Sequence, residues 1–196
     1  MSLVDVRAGH LAAVVTYLEM RARPGEIAVP PSPLTLQCIH PSTSEYRELF
    51  RAVGSPWLWF SRLIMRDTEL RAIVDHPAVE LFEVRDGDAT VGMLELDRRL
   101  AGACELSFVG LISAYTGKGH GRWLLAEAVT RAWSDDVTRV HVHTCSLDHP
   151  AALGAYRRAG FHAVARKVET FIDPRLAGIL PRDSAPQIPS VEPPSS

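Results

Sequence analysis

The 196-residue chain is 46% hydrophobic and 22% charged, an ordinary globular balance that excludes wholesale disorder and allows one domain with a real core. Its net charge is −2 with Lys and Arg scattered, which excludes a basic face for nucleic acid, and no apolar run approaches the ~20 residues of a membrane span. The early run Leu11–Met20 lacks the flanks of a signal peptide, and Cys38, Cys104 and Cys145 follow no motif, so reduced thiols in a cytoplasmic protein are expected.

In chain order, residues 12–20 are β-branched and aromatic and predict a strand, which runs into the proline-rich stretch RPGEIAVPPSP. Residues 34–39 alternate and predict a second strand. Ser42, Thr43 or Ser44 then caps a helix with Tyr46, Leu49, Phe50 and Val53 at helical spacing, ended by Gly54 and Pro56. After WLWFSRLIM, Asp67 or Thr68 caps a short helix that stops before Pro77. Two strands, 79–87 and 89–97, meet at the hairpin turn Asp86-Gly87-Asp88. A strand over 104–112 leads into AYTGKGHGRWLL, then a helix over 120–133 with Leu124, Leu125, Ala128, Val129 and Ala132 inward. A strand (139–145), a helix (149–160) and a last strand (161–171) follow. From Pro181 the composition cannot bury a core, so residues 181–196 are expected to be a disordered tail. The order predicts a mixed α/β (α+β) domain: a mostly antiparallel sheet of six to eight strands with about four helices. Residues 1–33 belong to it as an N-terminal strand and proline-rich segment, and 34–175 form its body.

The glycine stretch has the composition of a phosphate cradle. A helix N-terminus offers unpaired N–H groups and partial positive charge. Gly117, Gly119 and Gly121 keep side chains away from those amides, and Lys118 and Arg122 add charge. A Walker loop fails because Gly119 follows Gly117-Lys118 and Ile112 stands where the first glycine belongs. The dinucleotide fingerprint fails because Arg122 and Leu124 stand where its last glycine would be.

What remains is Thr116, Gly119 and Gly121 between a strand and a helix, and about 30 residues later His149, Ala152, Tyr156 and the pair Gly160-Phe161. In order and spacing this resembles the GNAT acyltransferase superfamily. That family's loop reads Arg/Gln-x-x-Gly-x-Gly/Ala and its later helix Asn-x-x-Ala-x-x-x-Tyr. Thr116 replaces the Arg or Gln, and His149 the Asn. The resemblance spans residues 34–171 by strand order and 104–161 by motif.

It implies acetyl transfer from acetyl-CoA to a primary amine in a ternary complex, with the amine a small molecule, a peptide or a protein lysine or N-terminus. The loop from Thr116 through His120 to Trp123 would hold the pyrophosphate. Val109, Gly110, Leu111 and Ile112 would hold the pantetheine, with His149 and Ala152 also beside the coenzyme. Glu105 occupies the family's base position, where desolvation would raise its carboxyl toward neutrality; Asp148 and His149 compete for that role. Tyr156 is the family's acid toward the leaving thiolate. An oxyanion would meet a backbone N–H of Val109 or the Gly110-Leu111 pair, freed by a bulge at Gly110. The rival binding-module reading is an acyl-CoA sensor that keeps the pocket without transfer.

His141, His143 and Cys145 alternate onto one strand face, where His-x-His can chelate zinc. Such a face more often packs, and no metal is expected. Cys145 lacks an evident base, so an acyl-enzyme is not expected. Trp57 and Trp59, with Phe60, are candidate walls of the amine pocket, with the proline-rich segment at its entrance. The expected partners are acetyl-CoA and the amine, without nucleic acid or membrane, in a monomer or homodimer.

Overall fold

A computed structural model of the chain describes residues 3–25 and 27–193. Its strands are β1 (His10–Met20), β2 (Thr35–Ile39), β3 (Val79–Asp86), β4 (Ala89–Asp97), β5 (Ala103–Leu111), β6 (Arg139–Cys145) and β7 (His162–Ile172). Its helices are α1 (Thr43–Gly54), α2 (Asp67–Val74), α3 (His120–Ala132) and α4 (Ala152–Arg158). The strands form one open sheet in the order β2-β3-β4-β5-β6-β1-β7. β5 and β6 are its parallel pair, and the other neighbours run antiparallel. This is the mixed, mostly antiparallel architecture with four helices that the sequence predicts.

Alternation explains the layers. Cys104 and Leu106 of β5 and Leu94 and Leu96 of β4 join the core beneath α3, with Leu124, Ala128 and Val129. Met93 of β4 faces the other way, into a second core with Tyr46, Phe50 and Val53 of α1 and Leu70 of α2. Ser42 caps α1: its Oγ accepts from the Glu45 N–H, and the Glu45 carboxylate accepts from the Ser42 N–H. Gly54 ends the helix where a Cβ would lie 2.4 Å from Trp59 Cβ, so the glycine lets the next segment fold back across α1.

The N-terminal strand takes a central place. β1 inserts between β6 and β7 and is antiparallel to both, burying Leu11, Ala13, Val15, Leu18 and Met20. Without it β6 and β7 have no common neighbour.

The expected disordered tail is corrected by the structure as far as residue 193. Arg175 is buried, pairs with Asp173, and donates to the carbonyl oxygens of Ser184, Ala185 and Ile188. Ala185 and Leu180 are buried with Leu11 and Leu58, Gln187 donates to the Pro56 carbonyl, and the Gly9 N–H to that of Val191. The composition misleads because one arginine outside the tail satisfies its backbone, so few apolar side chains suffice to fix it. Residues 194–196 of that tail lie outside the described residues, as do Met1, Ser2 and Glu26 of the N-terminal stretch.

Candidate active site

The site begins where the sheet splits. β5 and β6 pair at Ala103–Glu105 and Arg139–His141. Opposite β4 the register shifts, with Leu96 against Leu106 and Glu95 against Phe108, so Ser107 is an extra residue in β5. The bulge turns Leu106 toward the α3 core and Phe108 toward the α1–α2 core. Beyond it the two strands diverge, leaving the β6 side of Phe108–Leu111 without a partner strand. The bulge expected at Gly110 is therefore a correction: Gly110 pairs in regular register with Met93. Its glycine is explained by crowding, since a Cβ there would lie 2.6 Å from Val53 Cγ1 and 3.3 Å from Trp59.

A cavity of about 570 Å³ fills the wedge. Val109, Gly110 and Leu111 line it, as do Thr116, Gly117, Gly119, Gly121 and Arg122 from the glycine loop. α3 starts at Gly119 with no side-chain cap and no acidic residue in its first turn, unlike α1. Its first N–H groups are left for a ligand. Gly117 and Gly119 have φ of +74° and +88°, so backbone conformation requires glycine there. Gly121 has ordinary helical φ and open space around its Cβ position. Nothing in the protein itself requires glycine at 121, and a side chain there would fill the cradle. The donor set and this space fit the pyrophosphate of a coenzyme.

Several predicted contacts fall elsewhere. The Lys118 ammonium lies over the Tyr115 ring at 5.5 Å, and His120 Nδ1 lies 3.4 Å from Ser32 Oγ. Trp123 is buried in the core beneath β5, so its side chain is corrected from coenzyme contact to packing, and Ile112 packs between the two cores. Among the described residues the proline-rich segment is absent from the cavity walls, and its Ser32 meets His120 of the glycine stretch. Arg158, at the end of α4, does line the cavity and supplies a cation that the sequence reading missed.

Ahead of α4 stands His149, whose Nδ1 accepts from the Ala151 N–H at 3.1 Å and whose ring meets Trp57 at 5.0 Å. His149, Ala152 and Tyr156 all line the cavity. Burial, and then the Asp148 charge, raise the Tyr156 phenol well above its ordinary value. Asp148 is committed to structure. It accepts from Thr144 Oγ1 at 2.7 Å, from the Cys145 N–H at 2.8 Å and from Trp59 Nε1 at 3.1 Å.

Glu105 behaves differently from the expectation. It sits outside the cavity wall, and its Oε1 lies 3.2 Å from His143 Nδ1. That hydrogen bond, stronger than the opposing desolvation, holds the carboxyl below its ordinary value, and it raises the imidazole. The expected upward shift of Glu105 is thus corrected. His143 itself lines the cavity, with its ring 5.9 Å from that of Tyr17. The sequence offered His143 only as part of an alternating face, because its partner comes from another strand. Among the described residues no group of three or more His, Cys, Asp or Glu side chains is arranged to hold a metal ion. Burial pushes the Cys145 thiol up to about 11, which keeps it un-ionised.

Trp57, Leu58, Trp59, Phe60 and Ser61 wall the far side, facing Tyr17 of β1 and Glu169 and Phe171 of β7. Beneath that wall Arg62 donates to the fully buried Glu95 at 2.5 Å, as does the Tyr46 hydroxyl, also at 2.5 Å. The guanidinium lies 5.2 Å from the Phe108 centroid. This buried ion pair ties the aromatic segment to β4 and α1. The sequence reading missed this pair, and the signal that could have found it is a carboxylate, Glu95, inside the otherwise apolar run of β4.

Fold and site together define a split mixed sheet with an uncapped, glycine-rich helix start at the split. The family model described as Acetyltransferase (GNAT) family matches residues 43–161, and the chain belongs to that family. No protein of curated function matches the chain. Among solved structures it is similar to a GCN5-related N-acetyltransferase from Sphaerobacter thermophilus, with a TM-score of 0.58 and 20% identity over 97% of this chain and 56% of that one. A GCN5-related N-acetyltransferase from Kribbella flavida gives 0.53 and 21%, over 87% and 63%. An IAA acetyltransferase from Bacillus cereus gives 0.52 and 17%, over 67% and 79%. At these identities the likeness is one of fold, and the chain spans less than two thirds of the first two.

Proposed function

We propose that the protein is an acetyl-CoA-dependent N-acetyltransferase acting on a primary amine by direct transfer in a ternary complex. The observation that carries this reading is one cavity joining an uncapped glycine-rich helix start to Tyr156 and His143. The pyrophosphate would meet the amides at Gly119–Gly121 with Arg122 and Arg158 beside it, and the pantetheine would lie along Val109–Leu111 as an added strand does. Acetyl-CoA supplies the acetyl thioester and the leaving thiol. Free backbone N–H groups along Val109–Leu111 would donate to the carbonyl oxygen as negative charge builds on it.

His143 Nε2 accepts the amine proton while Glu105 fixes the ring through Nδ1, so the carboxylate acts through the imidazole. The N–C bond forms, the C–S bond breaks, and Tyr156 passes its proton to the departing sulfur. Its raised value keeps the phenol protonated until that moment. Trp57, Trp59 and Phe60 present ring faces suited to a cationic amine, and Glu169 adds negative charge at the same wall. Three free cysteines fit a cytoplasmic setting.

Calorimetric titration with acetyl-CoA tests the reading. One-to-one binding in the micromolar range is expected, weakened more than about tenfold by Gly121→Val, which fills the cradle. Thiol release on an amine panel should then drop about 100-fold in kcat for Tyr156→Phe with binding unchanged. Folded wild-type protein that fails to bind acetyl-CoA would sink the proposal.

A further inference from the structure

β7, eleven residues long, pairs with β1 on one side, and its other edge has no partner strand among the described residues. Such an edge presents a full row of backbone donors and acceptors, and proteins cover or blunt it. Here both faces of β7 are open along almost their whole length. Val164, Val168 and Ile172 are 55%, 70% and 57% exposed, and Val14, opposite Val168 on β1, is 44% exposed. Arg166, Lys167 and Glu169 make no ion pair among the described residues, although they lie within four positions of one another. We propose that this edge pairs antiparallel with the same edge of a second copy, about a two-fold axis through Val168, to give one continuous sheet through a homodimer.

Register decides between the ways two such edges can meet. A two-fold perpendicular to the sheet keeps directly opposed residues on one face. Centring on Lys167 or on Glu169 would oppose like charges. Centring on Val168 instead sets Lys167 of each copy against Glu169 of the other, twice. It also opposes Val164 to Ile172 and Arg166 to Thr170. On one face Val14 and Val168 of both copies then form an unbroken apolar row across the axis, covering the side chains the monomer leaves in water. On the other face Lys167 of the second copy reaches Glu169, which lines the cavity, so the partner adds a cation to the rim of the site. The opposite edge of the sheet, β2, has only five residues and offers no comparable row.

The inference stands apart from the catalytic reading, and its test is molecular mass. Sedimentation velocity and light scattering on the full chain should give twice 21.6 kDa at tens of micromolar. Val168→Lys should shift it to monomer, raising the dissociation constant by roughly tenfold or more for two facing charges. Lys167→Glu should do the same, and adding Glu169→Lys to it should restore the dimer. In a Cys38→Ser background, which removes the exposed native thiol, Val168→Cys should cross-link to a dimer on mild oxidation and Thr170→Cys should not. A wild-type protein that stays at 21.6 kDa at every concentration overturns the proposal. So does a dimer that survives Val168→Lys and leaves Val168→Cys uncross-linked, since that dimer uses another face.

Discussion

Glu105 and His143 meet across strands that lie 38 residues apart in the chain, and their bond sets both protonation equilibria. The lowered Glu105 contributes stability above its ordinary 4.5, lost as pH falls through the depressed value. The raised His143 contributes below its ordinary 6.5, lost as pH rises through the elevated value. The pair is therefore worth most between these limits. Glu105→Gln should cost under about 1 kcal/mol near pH 6, because the contact is partly exposed, and almost nothing in alkaline solution. As a base His143 must be neutral, so the acidic limb of the rate profile should sit above 6.5 in the wild type and move down in Glu105→Gln. A limb that stays fixed while kcat collapses would make Glu105 the base itself. Gly110 makes a steric prediction: Gly110→Ala drives a methyl to 2.6 Å from Val53, and should destabilise by about 1–3 kcal/mol in urea denaturation. The sequence marked this glycine as special for the wrong reason, since the residue that crowds it lies on α1.

β1 is the element on which the second half of the sheet depends. It buries five apolar side chains between β6 and β7, yet lies outside the family match at 43–161. Deleting residues 1–20 should leave β6 and β7 with unpaired edges and yield protein that loses its cooperative thermal transition. The C-terminal strap is a smaller element with a milder forecast. Truncation after Leu180 removes Ala185 and the carbonyl oxygens that satisfy Arg175. Because the cost is a few hydrogen bonds and a small apolar contact, about 2–4 kcal/mol is expected, seen as a lower Tm with the native fold retained. Retention of full stability would mean the strap is bound only loosely.

Across the whole molecule, the two halves of the sheet part at β5 and β6, and every group invoked in the chemistry lines or adjoins that one wedge. Strand and helix identities were legible in the sequence because alternation and helical periodicity are local: β3 and β4 follow from their hairpin turn, and α3 from its glycine start. The glycine-rich start of α3 and the stretch from His149 to Tyr156 were legible for the same reason, since each is contiguous in sequence, and both line the one cavity. Where β1 inserts, which residue bulges in β5, and what His143 and Arg62 touch could not be read, because each depends on partners brought in from other elements of the chain. Local pattern alone was enough for the elements, their order and the glycine-rich start of α3. The Glu105–His143 bond and the aromatic wall of the cavity emerge only from the assembled sheet, because side chains distant in sequence acquire their charge states and orientations when the fold brings them into contact.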